Sequence, residues 1–418
     1  MSNDLIQSKE KDNTAASSSC SKVRSIRMIE FFSGIGGMRL GVEQALKNHS
    51  TSSSSFHTTS STTTFTTSFV LSSCHAYEIS NCANSVYRYY FHPSTTNHSD
   101  DFAVQTKLVE QLKPKDLDGK ADLWTMSPPC QPFTSTRLAK QLDSNDARCN
   151  GLKGIISLLN TIHMKPTWIL LENVKGFVGS NMLQDWYDCL ESNGYSWQEY
   201  ILCPTQLGIP NCRTRYYIIC ERSTRFPSNK RGRHDDSSSL WSSLLLQPTP
   251  SSFLQSPHLE KQKRKCIQDY ILTQDSSDTA LQSVLLPNHI LEKEWVKDLG
   301  IVTPRDTITH CFTAAYARQL HKATGSILLM DDPHHDPHQD TASSTTKLDR
   351  SNMLQYKHRL RRFLPCELLR LFGFPDDFKF PLTDISLEQQ YKLIGNSVNV
   401  NVVAYVAGIL LRSQEECG

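Results

Sequence analysis

The stretch Ile26-Arg27-Met28-Ile29-Glu30-Phe31-Phe32-Ser33-Gly34-Ile35-Gly36-Gly37 decides the fold of this 418-residue chain. Residues 26–32 predict a buried strand, the glycine-rich segment predicts a tight turn, and residues 38–47 predict a helix. A strand, a glycine turn and a helix in this order open the alternating pattern of doubly wound sheets. We therefore predict an α/β protein with a doubly wound, mostly parallel sheet.

The same alternation continues along the chain and defines its domains. Further strands are predicted at 69–78, 122–126, 168–171, 197–202 and 216–220, and further helices at 80–91, 152–163, 365–372 and 400–411. Residues 50–68 are almost pure Ser and Thr and predict a flexible insert. The predicted units are a disordered tail (1–22), a catalytic lobe (23–220), a linker with a smaller target-recognition lobe (221–355) and a C-terminal return to the catalytic lobe (356–418).

Composition narrows the class of protein. The net charge of +2 gives no general attraction to nucleic acid, so binding would depend on local basic runs at 261–265 and 359–362. Thirteen cysteines occur without a Cys-x-x-Cys pair, which argues against a zinc ribbon and a disulfide framework. The histidines of the 331–340 tract are interpreted as part of a polar loop, so no metal is predicted. No apolar run suits a membrane span, and we expect a reduced cytoplasmic protein, with nuclear entry left open.

The glycine turn indicates a ligand without phosphates. Glycines let a ligand approach the backbone closely, but Met38 and Arg39 follow Gly37, so the Gly-x-Gly-x-x-Gly pattern of pyrophosphate sites is not met. Glu78 ends the second predicted strand, where a carboxylate can accept hydrogen bonds from both ribose hydroxyls of a nucleoside. The two features together predict a nucleoside-type site.

Three further features carry chemistry. Cys130 lies in the proline-stiffened loop Ser127-Pro128-Pro129-Cys130-Gln131-Pro132, a rigid setting that suits a nucleophilic thiolate. Glu172 ends an apolar strand, where burial can raise its pKa and let it donate a proton. Arg213 and Arg215 have strand spacing and lie on one face, offering planar donors to a base carbonyl, a phosphate or a carboxylate. Since carboxyl ends of parallel strands share one edge, these groups are expected in one cleft with Glu78.

The ordered motifs resemble those of the cytosine-5 methyltransferases. They are Phe32-Ser33-Gly34-Ile35-Gly36-Gly37, Pro129-Cys130-Gln131-Pro132, Glu172-Asn173-Val174, Arg213-x-Arg215 and Gly395-Asn396-Ser397-Val398. Cys311-Phe312-Thr313, with 171–177 and 208–211, is similar to the eukaryotic branch that methylates aspartate tRNA. The resemblance covers most of 27–220 and 361–412. Ala314-Ala315, the insert 50–68 and residues 223–300 depart from the family pattern.

The resemblance implies a role for each matched residue. Cys130 would attack carbon 6 of a cytosine, Glu172 would contact the ring nitrogen and amine, and Arg215 would hold the base carbonyl with support from Arg213. The cofactor S-adenosyl-L-methionine would be lined by Phe32, Ser33, Gly34, Ile35, Gly36, Gly37, Glu78, Ser127, Asn396 and Val398. The substrate would contact Gln131, Asn173, Cys311, Phe312 and Thr313. The base that removes the carbon 5 proton is not named by the sequence.

The expected function is methylation of carbon 5 of a tRNA cytosine by a monomeric enzyme, with the anticodon loop of aspartate tRNA favoured. Attack at carbon 6 requires an unstacked base, and an anticodon loop already splays its bases. Two alternatives stay open: a DNA cytosine-5 methyltransferase, and an RNA-binding protein of the same fold with weak or no turnover.

Overall fold

The computed structural model describes residues 20–50, 54–58, 61–92, 102–129, 146–223, 265–272, 279–331, 348–381 and 385–411. Within these ranges, eight strands form the main sheet. They are β1 (Cys20–Phe31), β2 (Ser54–Thr58), β3 (Ser61–Glu78), β4 (Phe102–Thr106), β5 (Leu123–Met126), β6 (Trp168–Val174), β7 (Ser196–Leu202) and β8 (Arg215–Glu221).

The strand order is β2-β3-β1-β5-β6-β8-β7, and β4 also pairs with β3. The pairs β4–β3, β3–β1, β1–β5 and β5–β6 are parallel, whereas β8 runs antiparallel to both β6 and β7. The predicted doubly wound, mostly parallel sheet is confirmed. The carboxyl ends of β3, β1, β5 and β6 consequently lie along one edge, where such sheets bind ligands.

The helices of the described residues lie between and after these strands. They are α1 (Gly37–Ser50), α2 (Asn81–Phe91), α3 (Pro114–Leu117), α4 (Asn150–Thr161), α5 (Asn181–Ser192), α6 (Thr279–Val284), α7 (Asn288–Leu291), α8 (Pro365–Leu371), α9 (Leu387–Asn396) and α10 (Val400–Leu411). Ser80 caps α2, since its side-chain oxygen accepts a hydrogen bond from the Ala83 amide at 3.2 Å. The five predicted helices are confirmed within a few residues at each end.

Alternate residues of the strands fill two separate cores. Met28, Leu123 and Leu170 pack with α1 and α10 on one face, in a cluster that includes Val403. Their neighbours Ile29, Trp124 and Ile169 pack with α4 and α5 on the other face. Successive residues of each strand therefore face opposite apolar cores. Because these strands are buried on both faces, their sequences are unbroken apolar runs.

The second lobe contains a small sheet of order β11-β10-β9, built from β9 (Ile301–Val302), β10 (Ile327–Leu329) and β11 (Leu360–Arg361). Its apolar cluster runs from Ile267 to Met330 and continues through Phe363 to Ile394. The cluster also includes Ile35 and Leu40, so it joins the small sheet to the glycine turn and α1 of the main sheet. The predicted division at residue 356 stays a prediction.

Arg361 corrects one reading of the sequence. It was predicted within a basic surface run at 359–362, but its side chain is buried and paired with Glu367 at 2.8 Å through both carboxylate oxygens. Glu367 also accepts a hydrogen bond from the Leu364 amide at the start of α8. A buried arginine whose two terminal nitrogens pair with a buried carboxylate cannot contact a nucleic acid, so this run is mainly structural.

The Ser/Thr-rich insert also differs from its prediction. Residues 54–58 and 61–68 belong to β2 and β3, which pair antiparallel as a hairpin, and residues 20–22 belong to β1 instead of the tail. Threonine is β-branched and favours strands, a preference that outweighs the low complexity of this segment. Residues 1–19, residues 224–264 of the predicted linker with most of the basic run 261–265, and the histidine tract 332–340 lie outside the described residues.

One apolar stretch, Leu387–Leu411, is long and apolar enough to cross a membrane by length and composition. It is more than half buried inside the protein. The chain is not helical between Ser397 and Asn399, and α10 packs closely on α1, where a Cβ added to Gly41 would lie 2.4 Å from a Val403 methyl. Packing in the protein core accounts for the apolar character of this stretch.

Glu30 forms a buried polar cluster beneath the first turn. Its carboxylate accepts hydrogen bonds from the Tyr87 hydroxyl at 3.0 Å and from the Arg39 amide at 3.2 Å. Burial raises the pKa of Glu30 to about 7, although the Tyr87 hydrogen bond and the Arg39 charge oppose the rise. Arg39 itself pairs with Glu43 at 2.8 Å and lies 4.0 Å from the ring centroid of Phe91.

This cluster predicts a pH dependence of stability. Because folding raises the pKa of Glu30 from 4.5, its stabilising contribution is complete below pH 4.5 and is lost as the pH rises through about 7. Glu30→Gln lacks this loss. The free energy of unfolding of the variant minus that of the native chain should therefore increase by about 3 kcal/mol between pH 4.5 and pH 8, as measured by urea denaturation. The surface variant Glu110→Gln is the control. An equal gain in both variants, or none in Glu30→Gln, contradicts the assignment.

Candidate active site

The glycine turn joins the carboxyl ends of β1 and β3. The Ser33 amide donates to the Tyr77 carbonyl at 3.2 Å, and the Gly36 amide donates to the Ser33 carbonyl at 2.9 Å. Phe32 and Gly34 have φ angles of 55° and 52°, in the left-handed region that favours glycine. A Cβ added to Gly34 would meet no described atom within 4 Å, so the turn faces open space at this residue.

The next two glycines are required for packing. A Cβ at Gly36 would lie 2.3 Å from the Phe91 ring, and one at Gly37 would lie 2.8 Å from a Val398 methyl. Ile35, which precedes them, is buried in the core. Of the predicted cofactor residues, Ile35, Gly36, Gly37 and Val398 hold the turn in place, and Gly34 offers the open backbone.

Glu78 is bound to the same turn. Its carboxylate accepts hydrogen bonds from the Gly34 amide at 3.0 Å and from the Ser80 amide at 2.8 Å. A carboxylate has about four acceptor positions, so two stay free for ribose hydroxyls. Ile79, which sequence reasoning missed, is 59% exposed beside it and offers an apolar surface to a base. Its only sequence signal was an apolar residue directly after the strand-end acid.

Two more polar groups complete this part of the site. The buried Ser33 hydroxyl has no hydrogen-bond partner among the described residues, and the Ser127 hydroxyl donates to the Phe32 carbonyl at 3.3 Å. An open glycine backbone, a strand-end carboxylate and an unpaired buried hydroxyl are suited to a nucleoside. The residues present therefore fit S-adenosyl-L-methionine. Asn396 is exposed at the end of α9, and its predicted cofactor contact stays a prediction.

Gly34 allows a test of this fit. Gly34→Ala should cost about 1 kcal/mol in stability, from backbone strain alone, and should weaken binding of S-adenosyl-L-methionine tenfold or more by filling its space. Gly194→Ala is a matched control, since Gly194 also has a positive φ (74°) with nothing within 4 Å, after α5. Isothermal titration calorimetry measures the affinities. Equal loss in both variants, or no loss in Gly34→Ala, contradicts this position for the cofactor.

Glu172 and Arg215 form an ion pair at the carboxyl end of β6. Arg215 pairs with Val174 in the antiparallel register, which places it diagonally across from Glu172 on one face. The Arg215 Nε lies 3.3 Å from a Glu172 carboxylate oxygen, and both side chains are mostly buried. Burial raises the pKa of Glu172, and the charges of Arg215 and Arg213 hold part of that rise back. The predicted raised pKa is confirmed in direction, and the pair suits a proton donor beside a carbonyl-binding arginine.

Arg213 is a structural partner of this pair. It is 4% exposed and donates to the carbonyls of Phe312 at 2.8 Å and Gly395 at 3.1 Å, and also to that of Ser397. Its guanidinium also lies 4.9 Å from the ring centroid of Phe372. Because both terminal nitrogens of Arg213 donate to backbone carbonyls, Arg213 supports the site, and Arg215 is the arginine that can bind the substrate, as the family resemblance implied.

The Cys311-Phe312-Thr313 segment closes over these arginines. The Cys311 sulfur lies 3.7 Å from an Arg213 nitrogen and 4.0 Å from an Arg215 nitrogen. Burial opposes ionisation of this thiol, but the two arginine charges outweigh it and lower the pKa of Cys311. Both arginines therefore point toward Cys311, although Arg213 precedes β8 and does not lie on a strand as its spacing predicted.

Phe312 differs from its predicted substrate role, whereas the predicted substrate contact of Thr313 stays a prediction. The Phe312 ring is 1% exposed in the core of the second lobe, packed against Tyr316, so only its carbonyl serves the site. A Cβ at Gly395 would lie 2.2 Å from the Thr313 carbonyl carbon, so this loop touches the end of α9. The segment therefore connects the second lobe to the active site, since its Phe312 side chain packs in that lobe and its backbone contacts Arg213 and Gly395.

The predicted nucleophile and its neighbour, Cys130 and Gln131, lie outside the described residues. The chain is described as far as Pro129. Asn173, which follows Glu172, donates from its side chain to the Pro128 carbonyl at 3.3 Å. Asn173 is buried and thus links the two motifs structurally; its predicted substrate contact stays a prediction.

The sheet, the glycine turn and the acid at the end of β3 define the S-adenosyl-L-methionine-dependent methyltransferase fold. The crystal structure of the S. pombe Dnmt2 methyltransferase matches with a TM-score of 0.65 and 28% identity, covering 94% of this chain and all of that one. Because the family model for C-5 cytosine-specific DNA methylase matches residues 26–412, the chain belongs to this family. It is an enzyme whose methyl donor is S-adenosyl-L-methionine.

Two relatives of known name are equally similar over nearly the whole chain. A DNA (cytosine-5)-methyltransferase of Dictyostelium discoideum is 30% identical over 416 residues, 94% of this chain and 96% of that protein. A human tRNA (cytosine(38)-C(5))-methyltransferase is 30% identical over 423 residues, 92% of this chain and 99% of that protein.

Proposed function

We propose that the protein methylates carbon 5 of a cytosine in tRNA. The observation that carries the proposal is the buried pair of Glu172 and Arg215, at 3.3 Å, at the carboxyl end of β6. An acid with a raised pKa beside an arginine matches the ring nitrogen and the carbonyl of a cytosine.

The chain's own residues then act in a defined order. Cys130 attacks carbon 6 as a thiolate, while Glu172 gives a proton to the ring nitrogen and Arg215 binds the base carbonyl, so that carbon 5 becomes nucleophilic. After the methyl group joins carbon 5, a base removes the proton from that carbon, and the Cys130 sulfur leaves as the ring double bond re-forms. The ring nitrogen then returns its proton to Glu172. Bound S-adenosyl-L-methionine supplies the methyl group. Gly34, Glu78 and Ile79 hold the nucleoside end of this cofactor.

Two points favour tRNA as the substrate. The human relative, which is similar over nearly its whole length, is named for a tRNA cytosine at position 38. The target base must leave its stack before Cys130 can reach carbon 6, which costs less in a loop than in a duplex. The anticodon loop of aspartate tRNA is the target that we propose.

DNA is the second candidate substrate, because the Dictyostelium relative is named as a DNA methyltransferase. Transfer of tritiated methyl groups to tRNA and to duplex DNA, under equal conditions, separates the two. We expect labelling of tRNA that is lost in Cys130→Ala, with little labelling of DNA. Labelling of DNA alone contradicts the proposal. Equal tRNA labelling by the native protein and Cys130→Ala contradicts the role of Cys130, whereas no labelling by the native protein favours an RNA-binding protein without turnover.

We further propose that the protein acts as a monomer in the cytoplasm, with access to the nucleus. Bisulfite sequencing of tRNA from cells with and without the protein identifies the modified tRNA and position. A methylated cytosine that persists without the protein contradicts the proposed target.

A further inference from the structure

Three cysteines surround the segment that carries the two arginines. Strands β7 and β8 pair as far as Leu202 and Arg215, and the connection between them begins with Cys203 and includes Cys212. Cys311 approaches from the second lobe and contacts both arginines. The fold thus brings three thiols, distant in sequence from the proposed nucleophile, next to Arg213 and the base-binding Arg215.

Cys203 and Cys212 are held close together. The Cys203 sulfur lies 3.6 Å from the carbonyl oxygen of Asn211, the residue before Cys212, and the two thiols share a hydrogen bond. Both are free thiols, and Cys212 is exposed to solvent. The chain reverses between them through a short helical turn and Gly208, whose φ is 74°. The antiparallel pairing and this reversal bring the two sulfurs into reach of one another.

We propose that Cys203 and Cys212 form a reversible disulfide that inactivates the methyltransferase. This proposal rests on the proposed function, since it assigns a regulation to the same site. The described residues contain no group of three or more His, Cys, Asp or Glu able to hold a metal ion, so a metal is not the favoured occupant of the cluster.

The oxidant is a low-molecular-weight disulfide such as oxidised glutathione. The Cys212 thiolate attacks one of its sulfurs, a bond forms between them, and one thiolate leaves. The Cys203 thiolate then attacks the Cys212 sulfur and releases the second thiolate. The two protons from Cys203 and Cys212 go to the two released thiolates, so two protein thiols are oxidised and one small disulfide is reduced to two thiols.

Formation of this bond disturbs the arginine that follows Cys212. Two sulfurs in hydrogen-bond contact must approach to about 2 Å, which displaces the backbone at Cys212. The Cys212 amide is bonded to the Thr309 carbonyl at 3.0 Å, and Arg213 is fixed by the carbonyls of Phe312 and Gly395. A shift of about 1 Å at a positioning group can lower a rate 100-fold. We expect oxidation to lower kcat at least tenfold.

The chain offers a direct chemical readout. No Lys or Arg lies between Lys175 and Arg213, so one tryptic peptide, 176–213, carries Cys203, Cys212 and also Cys189. The protein is exposed to oxidised glutathione and then to an alkylating reagent. The peptide should then lack one hydrogen atom from each of Cys203 and Cys212, and only Cys189 should carry the alkyl group. Dithiothreitol should restore both the thiols and the methyl transfer.

The double variant Cys203→Ser/Cys212→Ser separates this disulfide from oxidation of other thiols. Its reduced activity should match that of the native protein, and oxidised glutathione should leave it at least tenfold more active than the oxidised native protein. Equal inactivation of variant and native protein overturns the proposal, as does a native peptide that keeps both thiols alkylated. An inactive reduced native protein contradicts the proposed function, whereas an active one that stays active with the disulfide formed contradicts the regulation alone.

Discussion

Replacing Arg213 with methionine is expected to lower the free energy of unfolding by about 3 kcal/mol. The guanidinium is buried and donates to the carbonyls of Phe312, Gly395 and Ser397. Each carbonyl would lose a charged donor in a place that water does not reach, and the contact between the two lobes would loosen. Urea denaturation measures the loss, and methyl transfer should fall in parallel because Arg215 would lose its support.

Arg215→Met is the matched comparison, two residues further along the chain at the start of β8. It should change the free energy of unfolding by less than about 1 kcal/mol, because Glu172 then keeps its proton and avoids a buried charge. It should still lower kcat about 100-fold, since a donor to the base carbonyl is lost. If Arg215→Met is the more destabilising of the two, or keeps native kcat, the division into a supporting and a substrate-binding arginine is wrong.

Glu172→Gln is expected to lower kcat by 100-fold to 1,000-fold, within the usual range for loss of a general acid. The amide keeps the shape of the carboxyl but cannot give up a proton. Because burial raises the pKa of Glu172, the native rate should fall as the pH rises through that pKa, and the fall should be absent in Glu172→Gln. Initial rates of tritiated methyl transfer between pH 5 and pH 9 measure both effects.

Asp122→Asn is the control for this substitution. Asp122 is also an acid paired with an arginine, Arg27 at 2.8 Å, but it lies at the opposite edge of the sheet, before β5. Loss of its charge should leave kcat and its pH profile unchanged. An equal fall in kcat for both variants indicates a general loss of folded protein and contradicts the role of Glu172.

The sequence predicted the parts of the fold that depend on local pattern. The apolar runs of β1, β5, β6 and β8 are buried on both faces, so they were visible without any tertiary information. The glycine turn and Glu78 were predicted from chain order, and the structure joins them by a hydrogen bond of 3.0 Å. The pKa direction of Glu172 also followed from its place at a strand end.

Other features depended on partners far away in the sequence. Strand β4 is short and only half-buried, and it exists through pairing with β3. Gly395 was named as part of a motif, but its close approach to Thr313 needs both lobes in place. The hydrogen bonds of Arg213 also need both lobes in place, because its carbonyl partners lie 99 to 184 residues away in the sequence.

The central claim is that Cys130 bonds to a cytosine of tRNA, and covalent trapping tests it most directly. A tRNA that carries 5-fluorocytosine, incubated with the protein and S-adenosyl-L-methionine, should give an adduct that survives denaturation, because fluorine blocks the final proton removal. Peptide mass spectrometry should place the bond at Cys130, and Cys130→Ala should give no adduct. An adduct at Cys311 or another thiol, or trapping on fluorinated duplex DNA but not on tRNA, would contradict this account.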